Sequence, residues 1–137
     1  MDLDAVIEGL AGVVAAAIPG LTAYDYAAEA IVEPAFLPGD VTVEFDRTFG
    51  RGMDAITIKP IVLVGRSDDR AAQKKLNDYL SGSGLTSLKQ VIEASPTLGG
   101  ACHDLRVVRV TGRRLYTFGD TQFTGAELEI FVVGSGS

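Results

Sequence analysis

Two long runs of alternating apolar and polar residues, parted only by Gly119-Asp120, close this chain. In the second, Thr121 to Val133, the residues Ala126, Leu128, Ile130 and Val132 fall on one face, and Glu127 and Glu129 on the other. A period of two marks a half-buried strand, and Gly-Asp suits a two-residue hairpin turn. Leu105 to Phe118 is then the partner strand, and a simple register brings Arg114 within reach of Glu127 and Glu129. A sheet with one apolar face needs a second layer to cover it. The hairpin therefore commits the chain to antiparallel pairing with a covering layer.

The rest of the sequence supplies that layer and more strands. Leu3, Val6, Ile7, Leu10, Val13, Val14 and Ala17 recur at helical spacing, which predicts a helix over residues 2–18 that ends at Pro19-Gly20. Asp2 and Asp4 sit at the positive end of its dipole. Its polar side is bare: Ala11, Ala15 and Ala16 carry no charge, so a neighbour could cover them. Thr22–Tyr26 and Ala30–Phe36 read as short strands, and 41–46 as a half-buried strand bearing Val41, Val43 and Phe45. Pro34 and Pro38 argue against a central strand through 33–40. Residues 54–64 form a longer strand in which Pro60 implies an edge or a bulge. Ser67-Asp68-Asp69 caps a second helix that shows Ala72, Leu76, Tyr79 and Leu80 inward and Arg70, Lys74 and Lys75 outward. A short helix from Ser87 to Ala94 and a loop over 95–104 complete the order. The expected fold is an α+β two-layer sandwich: a mostly antiparallel or mixed sheet with helices packed on one face. Residues 1–133 form a single domain and 134–137 a flexible tail.

Composition narrows the function. A chain of 137 residues with 47% hydrophobic residues can bury a core without disulfides or metals, and its single cysteine excludes a disulfide scaffold. The net charge of −6 argues against general nucleic-acid binding. Charge is also segregated. Residues 1–46 hold nine acids and no base, residues 47–75 seven bases against three acids, and residues 106–116 four arginines and no acid. Such blocks pair within one subunit or between copies of the chain. An acidic start and the lack of a long apolar run predict no secretory leader and no membrane partner.

Catalytic patterns are weak. Cys102-His103-Asp104 is the one cluster of reactive types, but neighbours on an extended loop point in alternate directions. With one Cys and one His, a zinc site is short of ligands. The plain reading is a small buried thiol beside a surface imidazole. Phe49-Gly50-Arg51-Gly52 opens no helix, and no phosphate-binding loop is present. No enzyme activity, catalytic residue, cofactor or metal is expected.

The run Ile58-Lys59-Pro60-Ile61-Val62-Leu63-Val64-Gly65-Arg66-Ser67-Asp68-Asp69-Arg70-Ala71-Ala72-Gln73 passes directly from a long strand into a capped helix. Leu76-Asn77-Asp78-Tyr79-Leu80, Ser83-Gly84 and Ser87-Leu88-Lys89-Gln90-Val91-Ile92-Glu93 follow it. With the N-terminal helix, Pro38-Gly39-Asp40 and the closing hairpin, this resembles the tail terminator proteins of bacteriophages with long non-contractile tails, especially those of actinobacteria. The resemblance spans nearly the whole chain and rests on structural signatures. It implies helices on a mixed sheet and a homo-oligomer, a hexameric ring, that caps the tail tube and joins it to the head. The implied partners are the tail tube protein and a head-completion or neck protein. The implied location is the virion tail or neck, assembled in the host cytoplasm, with DNA passing through the ring without specific binding. It also implies that a long inter-strand loop orders on assembly, here Arg47 to Met53. The expected interface residues are therefore Arg47, Phe49, Arg51 and Met53 of that loop, with Arg109, Arg113 and Arg114 of the basic strand. The alternatives are another neck or tube component, or a small cytoplasmic ligand-binding or enzyme domain.

Overall fold

The computed structural model describes residues 2–26, 31–32, 34–45, 53–66, 70–118 and 121–135, without the side chains of Arg66, Ala72, Arg113, Phe118 and Ser135. The chain is an α+β fold: one mixed sheet with three helices packed against it. In order it comprises α1 (Leu3–Ala17), β1 (Thr22–Ala23), β2 (Ala35–Glu44), β3 (Met53–Arg66), α2 (Arg70–Leu80), α3 (Leu88–Glu93), a 3-10 turn (Leu98–Gly100), β4 (Asp104–Phe118) and β5 (Thr121–Ser135). The described strands lie side by side as β1-β2-β3-β5-β4. Only β1 and β2 are parallel; every other pair is antiparallel. None of the described helices is long and apolar enough to cross a membrane.

Local chemistry sets the helix starts. The Asp2 carboxylate accepts from the N–H groups of Asp4 at 3.0 Å and Ala5 at 3.4 Å, two donors that α1 itself leaves unpaired. Ser87 does the same for α3 by accepting from Gln90 N–H, and its hydroxyl donates to the Ser81 carbonyl at 2.5 Å. The expected Ser67 cap of α2 and the Gly119-Asp120 turn lie outside the described residues. On α1, Val6, Leu10 and Val14 are buried as the spacing predicts. Ala11, expected on the bare side, is buried, and Ala17, expected in the stripe, is exposed, so the uncovered side comprises Gly12, Ala15, Ala16 and Ala17.

Two strand expectations are corrected. The break expected between strands 30–36 and 41–46 is absent, since β2 runs from Ala35 through Pro38 to Glu44, while beyond Phe36 it lies at the margin of the described sheet, as its prolines suggested. Leu37 pairs with Ile61 and Asp40 with Lys59, so Pro38 and Gly39 together stand opposite Pro60. This two-on-one bulge needs no N–H from either proline, which is how Pro60 is tolerated in a central strand. Gly39 is required there, because a Cβ would lie 1.9 Å from the Lys59 carbonyl oxygen. Nor does a free tail begin at Gly134: β5 continues, pairing Gly134 with Asp54 and Ser135 with Met53. Phe45, expected inward with Val41 and Val43, follows the end of β2 and is 75% exposed.

The main core lies between helices and sheet. Val6, Leu10, Val14, Leu76, Leu88 and Ile92 of the helices meet Ile56, Ile58, Val62, Leu128, Ile130 and Val132 of the strands. A second, smaller cluster of Leu37, Leu63, Tyr116 and Phe123 forms on the opposite face, at the hairpin end of the sheet. Leu63 alternates with the core residues Val62 and Val64, which puts it on that outer face. Tyr24, Ile31 and Ile61 pack partly over it.

Candidate functional site

The outer face of the β4–β5 hairpin carries the most polar chemistry that the described side chains bring together. Arg109 Nε lies 2.7 Å from the Glu129 carboxylate, and Arg114 lies 3.4 Å from that of Glu127. The Arg114 guanidinium also sits over the Tyr116 ring, 4.8 Å from its centroid. The register is less simple than the alternation suggested. β4 bulges between Val107 and Arg109, and again between Thr111 and Arg114. The second bulge uses Gly112 at a φ of 62°, and the Tyr116 hydroxyl donates to the Gly112 carbonyl. Each extra residue re-aims the next arginine, and both still reach β5 glutamates. Burial, with the Glu127 charge added, raises the Tyr116 phenol pKa despite the opposing effect of Arg114.

This geometry resolves part of the segregated charge. Two arginines of the basic stretch find carboxylates within the same chain. Arg106 adds a third cation to the outer face, where Thr57, Val108 and Phe131 complete a shallow cleft beside the Arg109–Glu129 pair. Of the other expected interface residues, Arg113 lies in β4 but its side chain is outside the described residues, as are Arg47, Phe49 and Arg51. Met53 opens β3 opposite Ser135. At ~3.4 Å per residue it lies roughly 20 Å along the sheet from Arg109, so Met53 and Arg109 do not share one patch.

The inner side of β4 is held by α3. Glu93 accepts from the Val107 N–H at 2.9 Å and from Lys89 at 2.5 Å. Burial acts to raise the Glu93 pKa, but the Lys89 hydrogen bond, the Val107 N–H and the charges of Lys89 and Arg106 outweigh it, and the pKa falls below the usual value. Nothing in the sequence pairs residues 93 and 107, so only the fold reveals this contact.

A groove also escapes sequence reading. Gly12, Val13 and Ala16 of α1 face Val91 and Ala94 of α3 across a trough of about 800 Å³ floored by Leu98. Its lining is uncharged, and Leu85 on its rim is 95% exposed. The bareness of α1 is the one sequence signal that pointed here.

Cys102 is a buried free thiol whose Sγ donates to the Pro96 carbonyl at 3.4 Å, while His103 is exposed. Burial, then the Asp104 charge, pushes the thiol pKa up, opposite to what a nucleophile needs. Among the described residues no group of three or more His, Cys, Asp or Glu side chains is placed to hold a metal ion. No family model matches the chain, and no curated protein is significantly similar to it.

Proposed function

We propose that this chain is a structural subunit of a bacteriophage tail: six copies form a ring that caps the tail tube, ends its elongation and meets the neck of the head. The observation that carries the reading is the layout. The long strand β3 leads within a few residues into α2, then α3, then the β4–β5 hairpin, with every described helix on one face of a mixed sheet. That is the arrangement the resemblance to tail terminators implies. The outward dress of the hairpin, arginines and glutamates with apolar side chains between them, suits protein contacts in an assembly.

The test is a virion made without this protein, imaged in negative stain. Tubes of uncontrolled length, or heads and tails left unjoined, are expected, with rescue by the added protein. Normal joined particles would remove the reading. Sedimentation separates neighbouring roles, since a terminator stops at a closed ring whereas a tube subunit polymerises. Ring formation should weaken with salt, because exposed charges are screened beyond roughly 10 Å at 0.1 M.

The uncharged groove between α1 and α3 favours a second reading, a small ligand-binding domain, since its volume lies in the range of small-molecule sites. A thermal-shift screen with apolar ligands tests it. Stabilisation that Val13→Lys abolishes would support it.

A further inference from the structure

Among the described residues, β4 has a strand neighbour on the β5 side alone. Its first half is the kind of segment that recruits another strand. Val107, Val108, Val110 and Thr111 are β-branched, and Val108 and Val110 are 36% and 39% exposed. A margin strand with such residues invites pairing with a second chain. Here, however, edge donors are already occupied. The N–H groups of Leu105 and Val107, two residues apart, turn the same way in a pleated strand. Asp104 accepts the first at 2.9 Å and Glu93 the second at 2.9 Å, so carboxylates stand where a neighbouring strand would bond.

The two carboxylates are not equivalent. Asp104 serves the residue next to it, whereas Glu93 reaches across from α3, 14 residues away in the chain. Both Glu93 oxygens are used: Oε2 takes the Val107 N–H and Oε1 takes Lys89 Nζ, one helical turn earlier. The Glu93 side chain is still 30% exposed, so water hydrates its open side. A strand added at Val107 would have to displace this carboxylate or bury its charge, and burial of a charge is costly. The charges that act on it are Lys89 of α3 and Arg106 of β4. Arg109 of β4 and Tyr79 of α2 line the small cleft beside Lys89, and Arg109 is held by Glu129. α1 turns the uncharged Gly12, Val13 and Ala16 toward α3.

We propose that Glu93 is a removable guard on the β4 edge: while its carboxylate is charged and bonded to Val107, no strand adds there, and when acid neutralises it the edge opens to a second copy of the chain. The helix thus does for the sheet what a further strand or a buried margin does elsewhere, but reversibly. Lys89 and Arg106 favour the charged form, so the guard holds until the pH falls below the ordinary carboxylate value of about 4.3. The proposal does not rest on the ring reading.

The experiment compares the wild-type chain with Glu93→Gln, which keeps the shape and removes the charge. At neutral pH the variant should keep a cooperative melting curve. In sedimentation it should form assemblies larger than those of the wild type, setting in at roughly tenfold lower protein concentration. Adding Val108→Lys puts a new charge on the same edge and should return the assemblies to wild-type size. The wild-type chain supplies the same reading if the variant fails to fold: its own association should rise as the pH is taken below about 4. A folded Glu93→Gln that sediments as the wild type does would overturn the proposal. Larger assemblies that Val108→Lys leaves unchanged would also overturn it, since partial unfolding and not an open edge would then drive them. So would a wild-type chain that stays folded in acid without further association.

Discussion

On one face of the sheet, Ile58, Leu128 and Ile130 lie beneath helices and exclude water. On the other, Glu127 and Glu129 answer arginines, and among the described residues Leu37, Leu63, Tyr116 and Phe123 form a small apolar cluster. The first face has a complete second layer. Among the described residues the second is covered only at its hairpin end, where Tyr24 and Ile31 pack over it. Equal burial of single residues on the two faces thus conceals unequal support. Leu128 is 1% exposed and Leu63 0%, yet the neighbours of Leu63 are fewer and nearer solvent.

The sharpest way to break this comparison is a pair of truncations read by denaturant unfolding. Leu128→Ala should cost about 3–5 kcal/mol, in the upper part of the range for core leucines, because a core closed by helices cannot collapse around the cavity. Leu63→Ala should cost less, about 2–3 kcal/mol, since its partly buried neighbours Tyr24, Ile31 and Ile61 can settle into the gap. Equal losses would mean that the outer cluster is as rigid as the main core.

Glu93→Gln should have the next effect, about 1 kcal/mol at neutral pH, by weakening a charge-assisted bond to Val107. The sign follows from its lowered pKa. A carboxyl depressed in the folded state contributes stability above its unfolded value, near 4.3, and loses it as pH falls through the folded value. The gap between wild type and Glu93→Gln should therefore be full at pH 6–7 and close in acid, as followed by melting across a pH series. A gap that stays constant into acid would show that the charge contributes nothing.

Smallest of all should be Arg109→Ala and Arg114→Ala. Both side chains are 61% exposed, so each pair is worth at most about 1 kcal/mol to the isolated subunit. If they serve association, their loss should show in sedimentation and barely in melting. A large drop in subunit stability would assign them to the fold instead.

The legible and illegible parts of the molecule divide by range. The α1 stripe, the short helix at Ser87, the β4–β5 alternation and the inward Cys102 beside outward His103 are local patterns, and the chain could be read for them directly. The Arg114–Glu127 pair was also in reach, because a hairpin fixes its own register closely enough. Pro38 misled because its cost depends on what lies across from it, and Pro60 with Gly39 supplies a bulge that no local rule describes. The Glu93–Val107 bond, the outer cluster and the α1–α3 groove each join residues distant in sequence, and their types alone carry no sign of pairing. The loop that holds Arg47, Phe49 and Arg51 lies outside the described residues.

The buried thiol of Cys102 has a use unrelated to catalysis. It stands where the 3-10 turn passes into β4, held against the Pro96 carbonyl. A thiol reagent in water can reach it only when this segment opens, so its labelling rate counts those openings. Compared with the rate of an unfolded chain, that slow chemistry gives the free energy of one local excursion. Measured in the free subunit and again in the assembled particle, it would tell whether assembly tightens this joint.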